Sequence, residues 1–156
     1  MFRQMRRAHQ ALNNKEIIEL LKQEKRGVLS IIGDHGYPYG LSMNYYYNEN
    51  NHKIYFHSGK IGHKVDALKN NNKVCFCIYD QGYRKEGEWA LNIKSVIVFG
   101  YIKTIENDVL DIYRQLSLKY TDDLDYIENE INVYKDQTLC YEMTIEYISG
   151  KLVNEA

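Results

Sequence analysis

The sequence predicts a mainly β protein, a small antiparallel barrel, closed or split, with helices at its periphery. Tyrosine occurs 15 times against one proline and one tryptophan, which favours strands. Several apolar runs follow one another at turn-sized spacing, as antiparallel hairpins do. The long run "IKSVIVFGYIKTIE" is apolar on both alternating rows. It therefore predicts a strand covered on one face by a barrel interior and on the other by a helix or a second subunit.

The first half of the chain predicts one helix and three strands. "NNKEIIELLKQEKRG" is helical, with Asn13 as cap, Glu16 completing a capping box and Gly27 at the exit. The three strands lie in "GVLSIIGDHGYPYGLSMNYYYNENNHKIYFHSG", separated by turns at residues 34–36 and 48–52. Pro38 stands at a strand start, where its missing N–H is tolerated.

The second half predicts a helix starting near Ile61 or Gly62, a strand "KVCFCIYD", a loop at 81–92 and the long strand. A helix capped by Asn107 or Asp108 follows, and then a short helix with a loop. The closing strand "TLCYEMTIEYISGK" alternates cleanly, which predicts one buried and one wet face. The buried row is Leu139, Tyr141, Met143, Ile145 and Tyr147; the wet row is Glu142, Thr144 and Glu146.

Length and composition limit the organisation and the partners. The 156 residues predict a single domain, 1–156, with an ordinary 44% hydrophobic and 26% charged residues. A net charge of -1 gives no bulk attraction to nucleic acid or to an anionic membrane, so neither is an expected partner. No apolar stretch approaches the roughly 20 residues of a membrane helix. The basic start lacks a signal-peptide core, so a cytoplasmic location is expected.

The three cysteines do not form a disulfide framework. Cys75 and Cys77 lie two apart and would face the same way on a strand. They could belong to a zinc site, but zinc needs about four ligands and no partner pair stands out. Burial as small hydrophobic residues is favoured instead, and no metal is expected.

The stretch "YFHSGKIGHKVDALKNN" combines small residues with cations between a strand and a helix. Gly59 and Gly62 would let an anion approach the unpaired N–H groups at the helix start, and Lys60 and Lys64 would add full charges. This pattern predicts a phosphate site. The alternative is an ordinary connection with solvated lysines, and the spacing fits neither a P-loop nor a dinucleotide fingerprint.

Several segments occur in the same order as in a known family. They are "MRR", "GVLSIIGDHGYPYGLSMNYYY", "KIYFHSGKIGHKVDALKNNNKVCFCIYD", "SVIVFGYIKTIE" and "YEMTIEYISGK". The chain resembles the pyridoxamine 5'-phosphate oxidase-like split-barrel flavoproteins, most closely the branch related to the nitroimidazole-resistance (Nim) proteins. The resemblance implies a six-stranded antiparallel split β-barrel of the FMN-binding type, with flavin mononucleotide at the interface of a homodimer.

The resemblance also implies the cofactor contacts. The phosphate would lie at the strand-to-helix stretch, the isoalloxazine ring along the second strand, and the long strand would reach across the interface from the other subunit. The implied cofactor-binding residues are Ser42, Met43, Asn44, Tyr45, His57, Ser58, Lys60, His63, Lys64, Ser95 and Val96.

The implied activity is reduction of nitro groups or similar small acceptors by a flavin-dependent oxidoreductase. No acid–base pair stands out, so no catalytic residue is assigned, although His57 is the best candidate for a proton donor. Two alternatives stay open: a flavin- or heme-binding module without turnover, and an anion-binding interaction domain without redox function. Trp89, in the 81–92 loop, would either stack on the flavin or plug the loop.

Overall fold

The computed structural model describes residues 1–154, which form seven strands and four α-helices in one antiparallel sheet with peripheral helices. The strands are β1 (Arg26–Ile32), β2 (Pro38–Asn44), β3 (Tyr46–Asn48), β4 (Lys53–Gly59), β5 (Lys73–Tyr79), β6 (Asn92–Ile105) and β7 (Thr138–Asn154). The helices are α1 (Asn14–Gln23), α2 (His63–Asn70), α3 (Val109–Leu118) and α4 (Leu124–Tyr134).

The strand order is β2-β1-β5-β6-β7-β4-β3, so β2 and β3 stand at opposite ends of the sheet. Only Tyr45 separates these two strands along the chain. The sheet must therefore curl until its two ends meet, and β2 does contact β4. This curled antiparallel sheet with peripheral helices confirms the predicted split-barrel class. Its described part has seven strands and not six, because the second predicted strand is interrupted at Tyr45.

Two apolar clusters hold the fold together. The larger one fills the barrel and includes Phe56, Phe76 and Met143, with Leu21 of α1 packed against it. The smaller one lies outside β4 and β7, where α3 and α4 cover the sheet through Ile112. The apolar face of α1 begins at the predicted capping box, in which Asn13 and Glu16 exchange side-chain-to-backbone hydrogen bonds of 3.0 Å. These contacts fix the helices on the barrel.

The sequence predicts Gly27 at the exit of the first helix, and this prediction is wrong. That helix stops at Gln23, and Gly27 lies inside β1. A Cβ atom at Gly27 would stand 2.5 Å from Cζ of Phe76 and 2.8 Å from the Cys77 carbonyl oxygen. The glycine therefore allows β1 to pack closely over a fully buried ring, which is a tertiary requirement and not a helix signal.

The predicted alternation of the last strand is wrong at two residues, one from the wet row and one from the buried row. Glu142 is buried, with its carboxylate 2.6 Å from Nζ of Lys53 and 3.4 Å from Nζ of Lys103. Beyond it, the register slips between Phe99 and Gly100, so that Phe99 pairs with Tyr147 and Gly100 with Ile145. This β-bulge moves Tyr147 to the outer face, away from the row to which simple alternation assigned it.

Two further observations bear on function. No helix within residues 1–154 is long and apolar enough to cross a membrane. Across the same residues, no group of three or more His, Cys, Asp or Glu side chains is arranged to hold a metal ion. Cys75 and Cys77 are half-buried on one side of β5, facing the same way.

Candidate functional site

An open cleft of about 390 Å³ lies where β1 starts and β2 ends. The end of β4 and the first turn of α2 complete its walls. The antiparallel register pairs Arg26 with Asn44, which places the two side chains beside each other at the rim. The lining residues are Arg26, Ser42, Met43, Asn44, His57 and Lys64. All of these except Arg26 are cofactor residues expected from the resemblance, drawn together from three separate elements.

The cleft carries positive charge and no acidic lining residue. Nε of Arg26 donates a 2.9 Å hydrogen bond to Oδ1 of Asn44, so the neutral amide orients the guanidinium without cancelling its charge. Nζ of Lys64 lies 3.6 Å from Sδ of Met43. Burial lowers the pKa of Lys64. Within residues 1–154, neither cation forms an ion pair with a carboxylate.

The start of α2 adds partial positive charge to the same place. The helix begins at His63, directly after Gly62. The backbone φ of Gly62 is +135°, a value that residues with a side chain rarely adopt. The amides of His63 and Lys64 have no acceptor inside the helix, because the first turn of any α-helix leaves its N–H groups unpaired. The predicted inward packing of Val65 and Leu68, both buried, holds this helix start against the sheet.

His57 lies at the end of β4 and faces the cleft. Its ring makes an edge contact with Tyr113, with 6.4 Å between ring centroids. The His57 side chain is exposed to solvent at the open side of the cleft, yet the atoms packed around its ring lower its pKa, and the nearby charge of Lys64 lowers it further. With a pKa below the ordinary value of about 6.5, the imidazole is mainly neutral at pH 7, with one nitrogen as donor and the other as acceptor.

Two of the expected cofactor residues, Tyr45 and Ser58, are buried and form their polar contacts within the protein. Tyr45 is fully buried; its hydroxyl donates to the Leu21 carbonyl at 2.8 Å, and Nζ of Lys119 lies 3.5 Å from its ring centroid. Ser58 is also buried, and its hydroxyl donates to the Gly59 carbonyl at 3.0 Å. Neither side chain lines the cleft.

The other expected residues are more scattered. The ring of His63 stacks on Tyr39 at 4.4 Å, and its Nε2 accepts the Asp34 N–H at 3.2 Å, so the side chain contacts the β1–β2 connection. Lys60 is exposed in the segment before α2. The side chain of Val96 is buried, while Ser95 is half-buried. The structure does not bring these four side chains into the cleft.

Arg26 is the functional candidate that sequence reasoning missed. Its only sequence signal is a cation at the start of the first strand, and its meaning depends on the β1–β2 register. The sequence also gave no sign of a second pocket, between α3, α4 and β4, that shares Asn44 and His57 with the cleft. The exposed Trp89 does not line the cleft.

Solved structures with this fold are similar to the chain over nearly its whole length. One is a Bacteroides thetaiotaomicron protein provisionally named for 5-nitroimidazole antibiotic resistance (19% identity, TM-score 0.76, covering 92% of this chain and 87% of that one). A conserved hypothetical protein of Mycobacterium tuberculosis is 17% identical (TM-score 0.79, covering 95% and 90%). The FAD binding protein of Mycobacterium smegmatis is 19% identical (TM-score 0.67, covering 94% and 99%).

Sequence comparison gives the family directly. No curated protein sequence matches the chain significantly. The sequence profile described as pyridoxamine 5'-phosphate oxidase, in contrast, matches residues 13–152, which contain the whole cleft and all but the last two described residues of β7. The chain belongs to the pyridoxamine 5'-phosphate oxidase family.

Proposed function

We propose that the chain binds flavin mononucleotide in this cleft. The observation that carries the proposal is the pair of cations, Arg26 and Lys64, in a cleft with no acidic lining residue. A half-buried ammonium without a carboxylate partner has lost hydration, and a phosphate would restore its electrostatic balance. Lys64 and the first-turn amides of α2 would hold that phosphate, as helix starts commonly do.

The end of β2 suits the flavin ring. Met43 offers a polarizable thioether, and the amide group of Asn44 can satisfy the polar edge of the pyrimidine portion. Oδ1 of Asn44 already accepts from Arg26, so its NH₂ group remains the donor toward a ligand. A volume of about 390 Å³ lies within the range of small-molecule sites, roughly 300–1,000 Å³.

The cofactor is proposed to lie between two copies of the chain. The outer row of β6 exposes Ile97, Phe99 and Tyr101, which leaves a line of apolar side chains on the barrel surface. Such a line is typical of a contact with another protein surface. Ser95 stands on the same row, so its side chain would belong to the surface that meets the partner.

We propose reduction of nitro-type or similar small acceptors as the activity. The bound flavin, once reduced by an external two-electron donor such as a reduced nicotinamide, would pass the electrons to the acceptor, which is chemistry that amino-acid side chains lack. The chain's own contribution is to hold the cofactor and to present the neutral His57 at the edge of the cleft, where it can donate a hydrogen bond to an acceptor. The names of the Bacteroides and M. smegmatis proteins, nitroimidazole resistance and FAD binding, support this direction.

The absorption spectrum of the purified protein, with the released chromophore identified by mass, tests the proposal. We expect an oxidised flavin spectrum and the mass of FMN; the mass of FAD would correct the cofactor but keep the flavin. A Soret band would instead favour heme, which one similar structure, a flavocytochrome of Azotobacter vinelandii, makes a specific second candidate. A colourless protein that takes up no added flavin would overturn both the flavin proposal and the heme alternative.

A further inference from the structure

A second pocket, of about 530 Å³, opens beside the cleft. It lies between α3, α4 and the end of β4, and it meets the cleft at Asn44 and His57. A molecule bound there would therefore contact the same histidine that faces the cleft. None of the residues on the α3 and α4 side was expected to have a functional role, so the pocket is a feature of its own.

The walls of this pocket are mainly aromatic and aliphatic. Four of the lining residues are tyrosines: Tyr113, Tyr120, Tyr126 and Tyr134. Leu116, Ile127 and Ile131 add aliphatic surface between them. The charged lining residues are one acid, Glu130, and one base, Lys135, so the formal charges cancel. Such walls favour a flat, uncharged ligand over an anion or a cation.

The pocket is held in shape by contacts within its walls and behind them. The Tyr113 hydroxyl donates to the Thr138 carbonyl at 3.2 Å, and the Tyr120 hydroxyl donates to the Lys25 carbonyl. Arg114 and Glu128 join α3 to α4 through a two-pronged ion pair. Two walls are therefore fixed before a ligand arrives, which reduces the entropy that binding would cost.

We propose that this pocket binds an uncharged planar aromatic molecule and holds it against His57, next to the cleft. If the cleft holds flavin, as proposed above, the pocket defines the acceptor class as aromatic, so the role of the pocket in turnover rests on that proposal. The binding itself does not, because the tyrosine walls belong to this chain and need no cofactor. Tyr134, about half exposed on α4, would cover one face of the ring.

The test is calorimetric titration of the flavin-stripped and the flavin-loaded protein with 2-naphthol, an uncharged planar probe. Decahydro-2-naphthol, with the same skeleton and hydroxyl but no aromatic plane, is the matched ligand. Tyr134→Ala should weaken 2-naphthol binding about three- to tenfold, the loss expected for one aromatic stacking partner. Val133→Ala changes the neighbouring exposed residue outside the pocket and should leave binding unchanged.

The outcomes separate this inference from the proposed function. Binding of 2-naphthol that prefers the planar probe and falls in Tyr134→Ala supports the pocket, even if the protein proves to take up no flavin. Equal binding of the two probes, no binding, or equal affinity in Tyr134→Ala and the wild type overturns it. Displacement of 2-naphthol by FMN also overturns it, because the pocket would then be part of the cofactor site.

Discussion

Lys64 is the residue on which the phosphate assignment most directly depends. Its ammonium group is half-buried, burial lowers its pKa, and it donates to the weak acceptor Sδ of Met43. We expect Lys64→Ala to weaken FMN binding by about 1.5–3 kcal/mol, the value of a hydrogen bond to a charged group. Fluorescence titration of the flavin-stripped protein with FMN measures this loss as a rise in Kd of roughly 10- to 150-fold.

Lys69 provides the matched control for this experiment, because it is an exposed lysine in the last turn of the same helix. Lys69→Ala removes the same charge and the same length of side chain from α2 without touching the cleft. Its FMN affinity should equal that of the wild type. If both variants bind FMN as tightly as the wild type does, the phosphate is not held by Lys64.

His57 gives a prediction about pH. An unfolded histidine has a pKa near 6.5, whereas the atoms packed around the exposed His57 side chain and the charge of Lys64 lower its pKa in the folded protein. As pH falls below about 6.5, the unfolded chain therefore takes up this proton before the folded chain does, and the free energy of unfolding decreases. His57→Gln removes the titrating group but keeps a polar side chain. On acidification, this variant should therefore lose less free energy of unfolding than the wild type loses.

Urea unfolding of the flavin-free wild type and of His57→Gln, each at pH 7.5 and at pH 5.5, measures the effect. The other titrating groups are common to both proteins, so the difference between the two pH responses isolates His57. Parallel pH responses would mean that the folded protein leaves the pKa of His57 at its unfolded value.

At the scale of single elements, the β7 bulge opposite Gly100 makes the sharpest prediction. Gly100 stands where the β6–β7 register slips, and a Cβ atom there would overlap the Thr144 carbonyl oxygen. Backbone cannot move aside as a side chain can, so Gly100→Ala should destabilise the protein by about 1–3 kcal/mol, the usual effect of overpacking. Urea unfolding measures the loss.

Gly40 of β2 is the control position for Gly100, since it is also a strand glycine. The nearest neighbour of its added Cβ would be Cγ1 of Val28 at 3.4 Å, an ordinary contact. Gly40→Ala should therefore change stability little. If Gly100→Ala lost no more stability than Gly40→Ala, the strand would be able to relieve the close approach at the bulge.

The same elements show how far sequence reasoning reaches. Local signals predicted the capping box at Asn13 and the start of α2 beside Gly62, because each depends on neighbouring residues alone. The role of Gly27 and the exchange of faces in β7 depend on which strands pair and in what register. Arg26 was missed for the same reason: its place in the cleft follows from a cross-strand pair with Asn44. The position of Lys64 at a helix start directly after Gly62 was predictable, because both residues lie in one short segment.

At the scale of the whole molecule, the outer face of β6 is the feature that the single chain leaves unexplained. Ile97, Phe99 and Tyr101 are 38%, 36% and 37% exposed, respectively. On one side, Cys77 of β5 pairs with Ile97 and is half-buried; on the other, Phe2 stacks on Phe99 at 5.5 Å and on Tyr147 at 4.9 Å. The surface is apolar across three strands, and a second copy of the chain would remove it from water.

Ile97→Asp tests whether this face joins two copies. A carboxylate buried in a self-complementary contact would appear twice and without a partner, so the variant should be monomeric where the wild type is dimeric. Light scattering coupled to size-exclusion chromatography gives the mass of each. Val133→Asp, which adds the same charge at a 52% exposed position of α4, should stay dimeric.

If the cofactor lies between the copies, Ile97→Asp should also lose flavin, although Ile97 is not among the residues lining the cleft. A monomeric variant that keeps its full flavin content would retain the cleft and refute the shared site, whereas a monomeric wild type would refute the contact itself.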